Sequence, residues 1–344
     1  MKDNTYSIGF GIGTCNSKGD WLEVFYPKPL FKPSTAVAAA VKETLHIDGG
    51  NHSLPLSATH LPILADTLLR AGADEQAEIL QRFATTGRPL TVVVLCSDAP
   101  PQSVPEAYLK LHLLSHRLVK PHETNLEGIF SRLVNVAWTN QGAIDLTELP
   151  QRQLEARLKG EFLMVSCVDK FPKMTDYVVP AGIRIAHTAR VRLGAYLGEG
   201  TTIMHEGFVN FNAGTQGPNM IEGRISAGVF VHQGSDLGGG SSTMGTLSGG
   251  GNIVISVGEN CLLGANAGIG IPLGDRCTVE AGLYITAGTK VALMDDSGQL
   301  VEHIKARALA GKSDLLFRRN STNGAVECLT NKSAVELNTV LHSN

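Results

Sequence analysis

The chain has 344 residues, of which 43% are hydrophobic and 18% charged, and its formal net charge is −3. This length suits two or three domains, and the lack of a basic tract argues against nucleic-acid binding. No secretory leader and no apolar run of about 18 residues is present, which argues against membrane insertion. The six cysteines form no CxxC pair, so we expect reduced thiols and a soluble, cytoplasmic protein.

The N-terminal third begins with a predicted β-hairpin. Ser7 to Thr14 and Trp21 to Tyr26 alternate between apolar and polar residues on either side of a turn. Glycines occupy positions 9, 11 and 13, and a phosphate-binding loop would require a helix directly after them. Because no helix signature follows, we interpret them as strand glycines.

Helices and strands alternate in the next hundred residues. Helical spacing of apolar residues covers Thr59 to Thr85, with a break expected at Gly72, and recurs from Leu146 to Lys159. Thr91 to Cys96 is rich in β-branched residues, and Phe162 to Val168 is apolar, so both are predicted strands. The pattern predicts an α/β domain.

A further helix is predicted from Val104 to Val119, with His112 and His116 four residues apart. Such a pair can hold zinc, but the acidic HExxH pattern is missing and no third ligand is near in the sequence. We therefore expect the two histidines to lie on a surface face of the helix.

The second half repeats an aliphatic residue every six positions, with small residues around it. This period matches neither a helix nor a strand and indicates a hexapeptide β-helix, in which each coil buries its aliphatic residues against its neighbours. After a glycine-rich interruption the repeat resumes and then shifts phase. The repeat positions are Val179, Ile185, Val191, Leu197, Ile203, Val209, Thr215, Ile221 and Ala227, then Val257, Leu263 and Ile269, then Leu273, Val279, Ile285 and Val291.

The repeat ends near Val291, and a short C-terminal segment follows. Asp295 to Gly298 reads as a turn, and Leu315 to Ser321 with Gly324 to Leu329 as a strand pair. The polar tail from Thr330 is expected to be a final helix or a loose end. We predict domains at residues 1–174, 175–292 and 293–344, the outer two covering the open ends of the β-helix.

A polar cluster interrupts the aliphatic repeat. Glu222 and Arg224 lie two residues apart around Gly223, which puts both side chains on one face. They form either a structural ion pair or part of a functional site. His205 to Asn212 is dense in polar and aromatic residues about one coil earlier, and Glu206 precedes Glu222 by sixteen residues. Its asparagines, Asn210 and Asn212, either stack as a ladder or bind substrate.

Leu237 to Gly251 is rich in glycine and serine, and this composition predicts a break in the six-residue repeat. We expect an excursion loop near 237–251, and such an insertion in a rigid repeat favours a functional role over a linker. A rival hypothesis uses His187, His205 and His232 as zinc ligands of a metal-dependent hydratase.

These segments resemble the tetrahydrodipicolinate N-succinyltransferases, over about residues 175 to 330. The resemblance implies a homotrimer of left-handed parallel β-helices with active sites between neighbours. It also implies succinyl transfer from succinyl-CoA to the amine of L-2-amino-6-oxopimelate, toward diaminopimelate and lysine. The segments are His205–Asn212, Ile221–Gly228, Ser235–Gly251, Cys261–Asn266, Val279–Thr289 and Phe317–Ser321.

The resemblance also implies roles for single residues. Glu222 is the catalytic residue, and Glu206 is associated with magnesium on the threefold axis. Relatives that bind this metal carry an aspartate where this chain has Ala189, which leaves half of the metal set missing. The implied coenzyme residues are Arg224, Gly239, Ser242, Ala265, Glu280, Ala281, Gly288, Lys305, Arg318, Arg319, Asn320 and Ser321.

Amine acylation leaves two mechanisms open at this stage. Glu222 either removes the proton of the attacking ammonium or first attacks the thioester to form an acyl anhydride. Amides of residues 238–240 or the Ser242 hydroxyl are candidate oxyanion donors, and Arg224 suits a carboxylate. Acetyl-CoA-dependent transfer on the same fold and a non-catalytic scaffold are the alternative functions.

Overall fold

The computed structural model of the protein describes residues 5–245 and 253–330. It divides into two compact units. We call Met1–Leu113, Glu123–Pro172 and Asp176–Val178 the N-terminal unit, and Leu114–His122, Lys173–Thr175 and Val179–Asn344 the C-terminal unit. No helix in the described residues is long and apolar enough to cross a membrane.

The N-terminal unit contains two antiparallel sheets with helices. One sheet has the order β2-β1-β5-β4, with β3 also paired to β1, and the other has the order β7-β6-β8. Its strands are β1 (Ser7–Cys15), β2 (Trp21–Phe25), β3 (Leu30–Phe31), β4 (His52–Pro55), β5 (Leu90–Leu95), β6 (Val136–Thr139), β7 (Gly142–Asp145) and β8 (Val165–Asp169). Its helices are α1 (Thr35–Leu45), α2 (His60–Arg70), α3 (Asp74–Phe83), α4 (Val104–Ser115), α5 (Ile129–Arg132) and α6 (Leu149–Leu158).

Most of the predicted elements in this unit are confirmed. The hairpin is β1 with β2, and a methyl group at Gly13 would lie 2.2 Å from the Glu23 carbonyl oxygen, so that strand position requires glycine. Gly72, at a φ of +80°, separates α2 from α3. Helix α1 and the β6–β7 hairpin were not predicted from the sequence.

The surface position predicted for His112 is wrong. The side chain is fully buried, and its Nε2 accepts a hydrogen bond from the Tyr26 amide at 3.2 Å. Its Nδ1 donates to the Tyr108 carbonyl at 2.7 Å. Both ring nitrogens are thus used inside the core, and this satisfaction by distant backbone leaves no mark in the local sequence.

The C-terminal unit is built from short strands that enter three sheets in rotation, and one such circuit is here called a coil. Parallel pairing joins strands about one coil apart, such as Thr201–Ile203 with Asn219–Ile221. The strands are β9 (Arg184–Ile185), β10 (Ala195–Leu197), β11 (Thr201–Ile203), β12 (Phe208–Val209), β13 (Ala213–Thr215), β14 (Asn219–Ile221), β15 (Arg224–Ile225), β16 (Phe230–Val231), β17 (Asp236–Leu237), β18 (Ser242–Thr243), β19 (Ser256–Val257), β20 (Leu262–Leu263), β21 (Gly268–Gly270), β22 (Thr278–Val279), β23 (Tyr284–Thr286), β24 (Lys290–Met294), β25 (Leu300–Lys305), β26 (Leu315–Arg319) and β27 (Val326–Thr330).

The six-residue phase predicts the buried positions over most of the coils. Every repeat position from Val191 to Ile221 is fully buried. The phase is wrong at its two ends, since Val179 is 68% exposed and Ala227 is only half-buried. The next inward residue after Ile221 is Ile225, at 0% exposure. The turn between them is two residues shorter than a full repeat, which the regular spacing did not predict.

The predicted excursion loop does not begin at Leu237. Leu237 and Thr243 are buried at their repeat positions, and β18 pairs in register with β15 and β21. The coil therefore continues through Thr243, because this residue is still paired with the neighbouring coil. Residues 246–251 of the predicted loop and residues 331–344 of the predicted tail lie outside the described residues.

The C-terminal strand pair is confirmed as β26 with β27, antiparallel from Leu315 to Thr330. The predicted turn at Asp295 is also present, because its carboxylate accepts bonds from the amides of Ser297 and Gln299 at 2.9 and 2.8 Å. This turn joins β24 to β25, a hairpin that the sequence did not predict.

We expect Ile225→Ala to lower the free energy of unfolding by about 2–5 kcal/mol, because Ile225 has no exposed surface and its removal leaves a cavity between coils. Ile225→Val is the matched control, with a loss of about 1 kcal/mol. Urea denaturation measures both. Equal stability of the alanine variant and the wild type would show that residue 225 does not point inward.

A candidate active site on the coils

A pocket of about 450 Å³ opens on the coils of the C-terminal unit. It brings together residues of four successive coils, and two of these residues are acidic and two are basic. Glu206 and Glu222, which the sequence placed on neighbouring coils, both line it. The lining residues are Arg190, Glu206, Phe208, Glu222, Gly223, Arg224, Gly240 and Ser241.

The short turn after Ile221 positions the two charged residues of the pocket. Glu222 and Arg224 are exposed, whereas Gly223 between them is buried, as alternation along an extended segment requires. A methyl group at Gly223 would lie 2.1 Å from Ser241 Oγ on the next coil. Only glycine therefore lets the two coils approach at this point.

Glu222 and Arg224 do not form the ion pair that was one interpretation of the sequence. The Arg224 guanidinium donates to Ser242 Oγ from Nε at 3.2 Å and from Nη2 at 2.8 Å. The Glu222 carboxylate has no side-chain partner among residues 5–245 and 253–330. It is therefore available to a ligand.

A column of small residues rises from Glu222 along one corner of the coils. The Gly240 amide donates to the Glu222 carbonyl at 3.3 Å, the Asn266 amide to the Gly239 carbonyl, and the Gly282 amide to the Ala265 carbonyl, the last two at 2.8 Å. We call Gly239, Ala265 and Ala281 the corner column. All three were implied coenzyme residues, and the structure brings them together.

The amides beside Glu222 differ in their availability. Gly238 N–H donates to the Leu263 carbonyl at 2.8 Å, and Gly240 N–H is bound as described above. Gly239 N–H makes no hydrogen bond within the described chain. A methyl group at Gly239 would lie 3.2 Å from Glu222 Oε2, so the absence of a side chain at this position leaves room for the carboxylate. Of the three candidate oxyanion amides, only that of Gly239 is free.

The upper end of the corner column meets the C-terminal strands. The Arg319 amide donates to Glu280 Oε2 at 2.6 Å, which ties β26 to the turn after β22. The Arg318 guanidinium is paired with the nearly buried Glu327 at 2.9 Å. Asn320 also donates to Glu327, at 2.8 Å, and Ser321 is exposed in the same turn. Arg318 and Asn320 therefore have structural partners.

Of the implied coenzyme residues, only Arg224 lines the pocket around Glu222. Gly288 is exposed in the turn before β24. Lys305 lies in a second pocket of about 610 Å³ beside the β24–β25 hairpin. This pocket is lined by Lys290, Ala292, His303, Ile304, Lys305, Ala325 and Val326.

The implied magnesium ligand Glu206 is already engaged. Its carboxylate pairs with the Arg190 guanidinium and bonds to His205 Nδ1 at 2.6 Å. The hydrogen bond from His205, and next the charge of Arg190, hold the pKa of Glu206 below its usual range. Magnesium prefers an octahedron of oxygen ligands, and with Ala189 in place of a second carboxylate this donor set does not suit it.

The three histidines of the hydratase hypothesis are not gathered into one site. His187 and His205 are in edge-to-face contact, with ring centroids 5.2 Å apart. His232 Nδ1 instead lies 3.0 Å from Gln216 Oε1. In the described part of the chain, no three metal-binding side chains of the His, Cys, Asp and Glu types cluster together.

Both asparagines of the polar cluster have structural bonds. Asn210 Oδ1 accepts from Arg192 Nη1 at 3.1 Å and from the Phe211 amide at 2.9 Å. Asn212 has a φ of +50° and accepts from the His122 amide at 3.0 Å. These contacts favour roles within the fold over substrate binding.

Arg190 and Phe208 were missed by sequence reasoning as pocket residues. Phe208 pairs in register with Arg224, and Val191 bridges to Val209, so Arg190 is one coil below Phe208. The spacing between these residues and Arg224 could have revealed them, because residues stacked on neighbouring coils share a face. Using it requires the offset between coils, which varies along this chain.

Comparison with protein families first gives the class of the coils. Residues 254–287 match the profile described as the hexapeptide repeat of succinyl-transferase. Residues 74–131 and 133–173 match the N-terminal and middle regions of tetrahydrodipicolinate N-succinyltransferase. These matches place the coils in the hexapeptide-repeat succinyltransferase class.

Full-length relatives narrow the class to one family. The chain is 67% identical over 344 residues to the 2,3,4,5-tetrahydropyridine-2,6-dicarboxylate N-succinyltransferase of Pseudomonas putida, covering 100% of both chains. It is 60% identical to the Vibrio cholerae protein of that name, covering 98% of this chain and 99% of the relative. The chain belongs to the tetrahydrodipicolinate N-succinyltransferase family.

A solved structure agrees with this assignment. The crystal structure of a putative 2,3,4,5-tetrahydropyridine-2-carboxylate N-succinyltransferase from Campylobacter jejuni superposes with a TM-score of 0.89. It is 32% identical, and the match covers 98% of this chain and 94% of the other. The likeness therefore extends well beyond the repeat segment.

We expect His205→Ala to raise the pKa of Glu206 toward its ordinary value, because the hydrogen bond from His205 is the largest influence that lowers it. His187→Ala is the control, since His187 is the weakest of the named influences. Carboxyl carbon NMR titration measures the change. An unchanged pKa in His205→Ala would contradict the hydrogen bond.

Proposed function

We propose that this protein transfers the succinyl group of succinyl-CoA to the amino group of L-2-amino-6-oxopimelate, a step toward diaminopimelate and lysine. The names of its relatives at 60–67% identity support the reaction. The observation that carries the mechanism is the Glu222 carboxylate at the foot of the corner column, which has no side-chain partner among the described residues. An extended thioester lying along that column would end beside this carboxylate.

The chemical difficulty is the amine, which is mostly protonated near neutral pH. In the first route, Glu222 accepts a proton from the ammonium, and the free amine attacks the thioester carbonyl carbon. The tetrahedral intermediate then collapses, forming the amide bond and breaking the carbon–sulfur bond. The thiolate leaves and is protonated to give free coenzyme A.

In the second route, the Glu222 carboxylate attacks the thioester carbonyl first. The thiolate leaves, and a succinyl–glutamyl anhydride remains until the deprotonated amine attacks it and regenerates the carboxylate. Labelled succinyl-CoA without the amine acceptor separates the routes, because only the second route attaches label to the protein.

The free amide of Gly239 supports a role in stabilising the oxyanion of either tetrahedral intermediate. A donor aimed at the developing negative charge is worth about 3 kcal/mol of barrier. Arg224 is suited to the carboxylate of the succinyl group because its guanidinium forms two parallel bonds. Ser242 orients that guanidinium through the bonds to Nε and Nη2.

The finer features implied by the resemblance belong to the same proposal. We propose a left-handed parallel β-helix at residues 175–292, between domains at 1–174 and 293–344, in a cytoplasmic homotrimer. Magnesium is left out, because the Glu206 surroundings do not suit it. The proposed coenzyme residues are Arg224, Gly239, Ser242, Ala265, Glu280, Ala281, Gly288, Lys305, Arg318, Arg319, Asn320 and Ser321.

We expect Glu222→Gln to abolish succinyl transfer, because the amide neither accepts the ammonium proton nor attacks a thioester. The assay follows thiol release from succinyl-CoA in the presence of the amine. Glu259→Gln, at an exposed glutamate outside the pocket, is the control. Full turnover by Glu222→Gln would remove this residue from the mechanism.

We expect the wild type to prefer succinyl-CoA over acetyl-CoA, since only the succinyl group offers a carboxylate to Arg224. Arg224→Gln should lower kcat/KM for succinyl-CoA by about tenfold to hundredfold, in line with one charged hydrogen-bonding contact, and should leave acetyl transfer nearly unchanged. Equal loss with both donors would show that Arg224 does not recognise the acyl carboxylate. A wild-type preference for acetyl-CoA would favour the alternative acetyltransferase function.

A further inference from the structure

The second pocket carries two lysines that face each other across a hairpin. Lys290 on β24 is the register partner of Lys305 on β25, and Ala292 is the partner of His303. Residues two apart on a strand share a face, so these four side chains lie on one side of the hairpin. All four line the second pocket.

The positive charge of this face is not neutralised within the described chain. Neither Lys290 nor Lys305 has an ion-pair or hydrogen-bond partner for its ammonium group. Glu302 alternates to the opposite face of β25, since its register partner is Leu293. The nearly buried Glu327 on the adjoining β27 is bound to Arg318 and Asn320.

Like charges directly opposite each other on antiparallel strands are destabilising. A bound anion between the two ammonium groups would convert this repulsion into attraction. The rest of the pocket is apolar, since Ala292, Ala325 and Val326 form its lining beside the lysines. The pocket thus combines two positive charges with a surface suited to a flat, weakly polar ring.

We propose that Lys290, together with Lys305 and His303, binds the 3′-phosphate of coenzyme A and that the adenine lies against the apolar lining. The inference rests on the proposed function, which supplies the coenzyme. It adds Lys290 and His303 to Lys305 and names the group that they recognise.

The 3′-phosphate fits this pocket better than the diphosphate does. It is a phosphomonoester with a second pKa of about 6, so it carries close to two negative charges at neutral pH, which matches two lysines. It is also terminal and adjacent to the base, whereas the diphosphate lies on the far side of the ribose. Lys290 is therefore a specificity-determining residue that distinguishes coenzyme A from its 3′-dephospho form.

Calorimetric titration with adenosine 3′,5′-bisphosphate tests the site without any catalysis. We expect Lys290→Gln to weaken binding about tenfold, the lower end for a charged hydrogen-bonding contact in a solvent-screened site. Lys312→Gln is the matched control, an exposed lysine of the same unit outside both pockets, and should bind as the wild type does. Wild-type affinity in Lys290→Gln would overturn the proposal.

Lys290→Arg keeps the positive charge and should retain most of the affinity. An equal loss in the arginine and glutamine variants would mean that the residue acts only through the fold of the hairpin, which also overturns the proposal. Adenosine 5′-monophosphate is the ligand control, because it lacks the 3′-phosphate. It should bind the wild type and Lys290→Gln equally.

Kinetics with intact enzyme show whether Lys290 recognises the 3′-phosphate or the diphosphate of the coenzyme. We expect Lys290→Gln to raise KM for succinyl-CoA about tenfold with little change in kcat, as for lost binding that is equal in the ground and transition states. With succinyl-3′-dephospho-CoA, wild type and variant should have the same KM. Equal impairment with both donors would assign the lysine to the diphosphate and refute the 3′-phosphate site. Bisphosphate binding without any succinyl transfer would instead refute the proposed function and leave the anion site standing.

Discussion

The structure of the C-terminal unit depends on the stacking of inward side chains between coils that have no core of their own. Ile203, Ile221 and Leu237 are almost fully buried on three successive coils of one sheet. Each is covered only because its neighbours above and below are in register. The register between strands of successive coils therefore decides which outward residues meet. The pocket around Glu222 is a consequence of the register that buries the core.

The short turn at Gly223 is where that constraint produces chemistry. Two fewer residues between inward positions leave Glu222 and Arg224 as neighbours on the outer face, with a glycine close to the next coil. The guanidinium is then held by Ser242, while the carboxylate is left unpaired. A charge without a partner on a rigid framework favours ligand binding, since nothing in the described chain competes for it.

Sequence reasoning predicted the coils well because their period is local and unlike that of a helix or a strand. It predicted Glu222, Arg224 and the corner column through motifs, and the structure gathers these into one region. It missed the shortened repeat between Ile221 and Ile225, because the length of a turn depends on contact with the next coil. It also misplaced His112, whose ring is satisfied by backbone far away in the sequence.

Parallel strands on neighbouring coils are about 4.8 Å apart, so each coil adds the same fixed length to the corner column. Four such steps separate the level of β14, beside Glu222, from that of β26, a span of about 19 Å. Substitution of single residues cannot alter this span, whereas gain or loss of a whole coil would change it by one strand spacing. The length of the corner column is consequently resistant to gradual evolution, and variation is directed to the residues at either end.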